Sequence, residues 1–184
     1  MPTTAEGYVV DARDQQALRR VLSTIGRVDH LVYTAGESLT TSLLADLDLA
    51  AAQEAWRIRY WGALAAVKHA RVSTSITLTS GSAGARPGST WANAAAVCGA
   101  TEALGRALAV ELAPVRVNVV APGVVRTDLW RDIDAEALFS AVGEELLTGR
   151  VGEAAEIGEA YLHLLRSGFT TGTTLRIDGG ALLA

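Results

Sequence analysis

The sequence predicts an α/β fold: an open, doubly wound parallel sheet of about five strands with helices on both faces. Two observations carry this. Short apolar runs of strand length alternate with longer segments whose apolar residues recur every three or four positions, the pattern of strand–helix–strand units feeding a parallel sheet. The chain is also 49% hydrophobic but only 5% aromatic, which suits a core packed from Ala, Val and Leu. Its 184 residues suffice for one domain with a substantial core. No repeat, linker or low-complexity stretch divides residues 1–184.

Each element follows in order. Tyr8-Val9-Val10 reads as a short strand closed by Asp11, and 15–24 has helical spacing with Leu18, Val21 and Leu22 on one face. Asp29 to Gly36 is a buried-strand pattern ended by a turn glycine. Asp46 is placed to cap a long helix through Leu49, Ala52, Trp56, Leu64 and Val67 to about Ala70. Ile76-Thr77-Leu78-Thr79-Ser80 forms the next strand and Gly81 to Gly84 its exit loop. A second long helix spans 92–112, Pro114 ends it, and Arg116 to Ala121 is a further strand. A polar, helix-rich insert over 127–149 precedes a helix at 153–165, and Thr173 to Ile177 closes the sheet.

Composition excludes several classes. The net charge of −4 and the absence of like-charge runs argue against nucleic acid or an anionic membrane as partner. No stretch approaches the length of a membrane span, and the N-terminus lacks the basic and apolar regions of a secretion signal. A cytoplasmic protein is therefore expected. One cysteine, Cys98, and three scattered histidines make no metal-ligand spacing, so no metal is expected. The acidic pairs Glu144-Glu145 and Asp132/Asp134 fall in the polar insert and are expected to face solvent.

With the motifs in order, the chain resembles the short-chain dehydrogenase/reductase family over nearly its whole length. Val10-Asp11-Ala12 resembles the segment whose aspartate contacts the adenine ring. Thr34-Ala35-Gly36 resembles the end of the Asn-Asn-Ala-Gly motif, with Tyr33 where an asparagine is usual. Trp61-Gly62 lies in the interface helix, Pro122 to Thr127 matches the loop over the nicotinamide, and Thr171-Gly172 with Asp178-Gly179-Gly180 matches the C-terminal signature. The resemblance implies a Rossmann-like fold. It also implies that Asp11, Ala35, Gly36 and Thr127 would contact NAD(P) if a dinucleotide binds.

The departures from the family are equally concrete. Ala94 and Cys98 occupy the positions of the catalytic tyrosine and lysine, Gly81 that of the serine and Arg59 that of the active-site asparagine. Alanine cannot protonate an alkoxide, and a neutral thiol cannot depress a phenol's pKa as an ammonium does. Only nine residues, with Gly7 their single glycine, precede the Val10-Asp11 segment's aspartate and its neighbour. The fold is thus expected to be truncated, lacking the first phosphate-binding βαβ unit. The strand around Val9 is expected to pair with that around Val32, unless a partner chain fills the gap.

Three candidates remain for polar groups in the cleft. Ser80 can orient a carbonyl, or serve as turn and cap chemistry; Arg59 can bind a carboxylate or enolate; Tyr33 can supply a phenol. Ser82, Trp91, Asn93 and Trp130 are candidates for the substrate pocket, the tryptophans either shaping it or covering core. Cys98 fits a small buried thiol better than a nucleophile, because no histidine falls beside it.

Three functions follow. One is a cofactor-independent, non-redox enzyme (isomerase, dehydratase or cyclase) acting on a carbonyl-bearing small molecule. The second, implied by the resemblance, is an NAD(P)-dependent oxidoreductase. The third is a non-catalytic oligomeric binding subunit. A homodimer or homotetramer is expected through the helices at 50–70 and 92–112, which carry Gly62, Ala63, Gly99 and Ala103 for close contact.

Overall fold

A computed structural model describes residues 4–36, 41–131 and 133–184. Four parallel strands form the main sheet: β1 (Arg27–Tyr33), β2 (Arg71–Thr79), β3 (Arg116–Pro122) and β6 (Thr174–Ile177), in that spatial order. The remaining strands, β4 (Val125–Arg126) and β5 (Gly152–Glu153), pair with each other as a separate two-stranded ribbon. The helices are α1 (Gln15–Ile25), α2 (Leu49–Trp56), α3 (Ala63–His69), α4 (Ala92–Glu111), α5 (Ala135–Glu145) and α6 (Ala154–Arg166).

The main sheet therefore has one strand fewer than expected, and the missing one is the first. Residues 8–11 join no strand; Val9 is fully exposed while Val10 packs against the edge of the core. Backbone groups satisfied by neither helix nor ladder must face water or turn partners. Here Asp11 makes a local turn, its carbonyl accepting from the Asp14 N–H at 3.0 Å. Pairing with Val32 does not occur: β1 is hydrogen-bonded to β2 alone, with a register shift between Val28 and His30. Its outer edge has no neighbouring strand among the described residues.

Helix starts follow side-chain chemistry. The Asp14 carboxylate accepts from the N–H groups of Gln16 and Ala17 at 2.9 Å, capping α1. Asp48, rather than Asp46, caps α2, because Asp46 lies within a short 3-10 turn at Leu44–Asp46. The single helix expected up to Ala70 is interrupted by a π-helical segment, Arg57–Gly62, between α2 and α3. At α6, Glu153 and Glu156 form a reciprocal capping box. Arg150 grips the Glu156 carboxylate at 2.6 and 2.8 Å, and that contact lowers its pKa to about 2.

Alternation along the strands sorts the two sheet faces. Tyr33, Ile76, Leu78, Val117 and Val119 form the main core with Leu18, Ala63 and Leu108. Glycine permits the tightest approach there, since a methyl group on Gly105 of α4 would collide with Val119 Cγ2. On the opposite face Val120 packs under Ile157, Ala160 and Leu164 of α6. A third, smaller core gathers Trp130, Phe139, Leu146 and Val151 beneath α5. Glu144, Glu145 and Asp134 are exposed, and Asp132 lies outside the described residues.

Candidate active site

Above the carboxyl ends of β1, β2 and β3 lies a cleft of about 670 Å³. This is where open parallel sheets bind ligands, because the strand-to-helix loops diverge there. Thr34 and Gly36 after β1, Ser80 to Ala83 after β2, and Pro122 to Val125 after β3 build one wall. Residues Thr127 to Arg131 and the start of α4 build the other, and α6 contributes Ile157 and Tyr161.

Arg59 is the cleft's inner cation. The π-helical segment turns it toward the β1 exit, where the guanidinium lies so close to Gly36 that a Cβ there would meet Cζ at 2.8 Å. A side chain at 36 would displace the guanidinium from that position. Arg59 also acts on Cys98, whose thiol is buried at 7% exposure and lines the cleft. Burial pushes the Cys98 pKa up, and Glu102 adds to this; a Ser80 hydrogen bond, Arg59 and the Gly84 backbone oppose it without prevailing. The group is therefore a neutral thiol. Ala94, only 5% exposed, completes this apolar floor.

The serines divide. The Ser80 hydroxyl is turned into α4, donating to the Cys98 carbonyl at 3.1 Å, with the Glu102 carboxylate at 3.4 Å. Glu102 is in turn held by Arg176 of β6 at 3.0 Å. Ser80 thus fastens the floor. Ser82, half-buried, lines the cleft beside it.

Tyr33 and Asn93 are not among the lining residues. Strand alternation points Tyr33 into the main core, where its hydroxyl donates to the Ile58 carbonyl at 2.7 Å and crowds Gly62. Asn93 ties two helices together, donating to the Ala52 carbonyl at 3.1 Å and accepting from Trp56 Nε1 at 2.9 Å. Trp91 and Trp130 do line the cleft, with ring centroids 6.4 Å apart and planes tilted by 45°. One phenol that sequence reasoning missed also lines it. Thr79 donates to the Tyr33 carbonyl at 2.7 Å, so the Tyr161 hydroxyl 2.6 Å away must donate to Thr79. Burial raises the Tyr161 pKa, so this is a neutral phenol whose proton is already committed. Only its helical spacing toward the sheet marked it in the sequence.

The cofactor positions separate likewise. Gly36 and Thr127 lie on the cleft, and Thr127 caps the 3-10 turn Asp128–Trp130 by accepting from the Leu129 N–H. Ala35 is exposed beside it. Asp11 lies away from the cleft, and hydrogen bonds from the Arg13 side chain and backbone hold its carboxyl below the usual range. Tested against NAD(P), the residues fit one end only. The Pro122-Gly123 loop and Thr127 suit the nicotinamide end. At the pyrophosphate end no described residues form a strand, glycine-rich turn and helix in succession. Cys98 supplies no cation where an ammonium is needed. Among the described residues no cluster suits a metal ion, and no helix is long and apolar enough to cross a membrane.

This fold, with a cleft at the carboxyl ends of its parallel strands, defines a Rossmann-type α/β protein. The chain belongs to the short-chain dehydrogenase/reductase family: the SDR-like Rossmann domain matches residues 6–184. It is 37% identical over 167 residues to the short-chain dehydrogenase/reductase ucsE of an Acremonium species, covering 86% of this chain and 63% of that protein. It thus spans just under two thirds of that relative's length. A small-chain dehydrogenase solved in complex with NADPH superposes with a TM-score of 0.92 at 36% identity, covering 95% of this chain and 83% of that one. The MalC reductase/Diels-Alderase of Malbranchea aurantiaca superposes with a TM-score of 0.85 at 33% identity, covering 95% and 73%.

Proposed function

We propose that the protein is a cofactor-independent, non-redox enzyme of the isomerase, dehydratase or cyclase type, acting on a carbonyl-bearing small molecule. One observation carries this reading: Ala94 and Cys98 form an apolar, proton-poor floor under a cleft whose inner cation is Arg59. A guanidinium beside a half-open, largely apolar space stabilises negative charge developing on a carbonyl oxygen; any proton moved in an isomerisation or dehydration passes to the water that the open side of the cleft admits. Positioning alone contributes substantially to ring closure or isomerisation. The similar MalC protein is a reductase/Diels-Alderase, a precedent for pericyclic chemistry on this scaffold. In this reading Ser82, which lines the same cleft, assists Arg59, while Ser80 and Tyr33 have supporting roles.

The test is mass analysis of products from a panel of unsaturated ketones, with and without NADPH. Products of unchanged mass, or lighter by one water, formed without nucleotide are expected. Arg59→Gln is expected to slow their formation about 10²-fold or more. A product gaining two hydrogens only when NADPH is present would overturn the reading. It would establish the second one, an NAD(P)-dependent oxidoreductase, which the similarity to the NADPH-bound dehydrogenase favours. The third reading, a binding subunit, predicts ligand binding without turnover. A homodimer or homotetramer through α2–α3 and α4 is compatible with all three; Trp61 and Val110 on those helices are half or more exposed in the single chain.

A further inference from the structure

Trp130 and Trp91 both line the cleft and both pack into the core under α5, Trp130 as a buried member and Trp91 half-buried against it. Trp130 is fixed from behind: its indole N–H donates to the Val125 carbonyl at 2.9 Å and its ring joins the core under α5. Trp91, half-buried at the start of α4, is pressed by Gly88, where a Cβ would stand 3.0 Å from Trp91 Cδ1. A planar ring inserted between two others needs about 3.5–4.0 Å on each side, roughly 7–8 Å in all. The 6.4 Å between these centroids leaves no such slot. The planes, tilted by 45°, make an angled corner in which buried Trp130 backs half-buried Trp91, so Trp91 is the ring that a ligand in the cleft meets.

We infer that the ligand is a flat, fused-ring carbonyl compound, its ring body lying on Trp91 and its oxygen directed to Arg59. This rests on the proposed function for the carbonyl and adds the polycyclic body. The volume of about 670 Å³ is that of a site for a multi-ring molecule rather than a short ketone. Arg59 carries five N–H donors, so engagement elsewhere leaves donors for a ligand oxygen. An aromatic surface favours a planar π-system over a saturated chain of equal size, because offset stacking adds to the area buried.

Binding is tested without nucleotide, by quenching of tryptophan fluorescence with fluorenone, anthraquinone carboxylate and a straight-chain ketone of equal carbon count to fluorenone. Saturable quenching by the first two is expected, with the straight-chain ketone at least tenfold weaker. Trp91→Ala is expected to weaken fluorenone about tenfold and Trp91→Phe only about twofold, circular dichroism confirming that both fold. Arg59→Gln is expected to weaken the carboxylate more than fluorenone. Equal affinity of the straight-chain ketone, or unaltered fluorenone binding in a folded Trp91→Ala protein, overturns the inference. Because the readout is binding, tricycle capture accompanied by NADPH-dependent reduction would sink the non-redox reading and leave this one standing. Non-redox turnover of a ketone that ignores Trp91 would do the reverse.

Discussion

Strand β2 buries apolar side chains on one face of the sheet and polar ones on the other. Ile76 and Leu78, 2% and 0% exposed, enter an apolar core that needs no partners. Ser75 and Thr77, both 0% exposed, are turned to the other face with Thr79, so each must find a hydrogen bond or bear the cost of lacking one. Ser75 meets His30 Nδ1 at 2.8 Å, and Thr79 reaches the Tyr33 carbonyl and Tyr161. Asn118, next door on β3, donates to the Thr170 carbonyl at 2.8 Å and accepts from the Thr173 N–H at 3.2 Å. Thr77 Oγ1 finds no partner. One face is held by volume alone; the other combines the packing of Val120 under Ile157, Ala160 and Leu164 with these hydrogen bonds.

Truncation on the apolar face is expected to have the largest effect. Leu78→Ala removes a fully buried side chain between α3, α4 and the sheet, and about 2–5 kcal/mol should be lost in chemical denaturation. A loss under 1 kcal/mol would mean that this core is not close-packed. Thr77→Val sharpens the contrast from the other side. It keeps the shape and deletes the unpartnered hydroxyl, so stability should rise by about 1 kcal/mol. The same replacement at Thr79, whose hydroxyl serves two partners, should destabilise by a similar amount.

The apolar face is also the part that was legible in the sequence. Leu18, Leu78, Val117 and Leu108 recur at the spacing of their elements, and β3, α4 and α6 stand within a residue or two of expectation, while β1 is shifted two to three residues toward the N-terminus and β2 begins five residues earlier. What was not legible depended on neighbours. Tyr8-Val9-Val10 has strand composition, but a strand exists only when paired, and nothing pairs with it. The π-helical segment arises where Trp56, Tyr60 and Trp61 stack edge to face, which no periodicity encodes. At the site, Arg59, Ser82, Trp91 and Trp130 reach the cleft because each stands on a loop or a helix end that faces it. Tyr33 and Asn93 do not, because a one-residue step reverses direction on a strand and turns it by about 100° on a helix. Tyr161 escaped notice for the same reason, its element being assigned to packing alone.

The two faces meet under the cleft, and Cys98 reports which of them supplies the floor. Its burial raises the thiol pKa above its ordinary 9.0 despite Arg59 nearby, so the apolar side reaches the ligand space. A group whose folded pKa is raised contributes its stability in full below the unfolded value, and loses it as pH rises through the folded value. Wild-type stability should therefore decline from about pH 9 upward by a component missing from the pH dependence of Cys98→Ala. Native Cys98 should also react with a thiol reagent much more slowly than the unfolded chain at pH 8, since only the thiolate is nucleophilic. Equal reactivity in the two states, or an alkaline decline shared by the alanine variant, would show that the floor belongs to the polar face. Arg59 would then hold a thiolate, and the contrast between the faces would end short of the cleft.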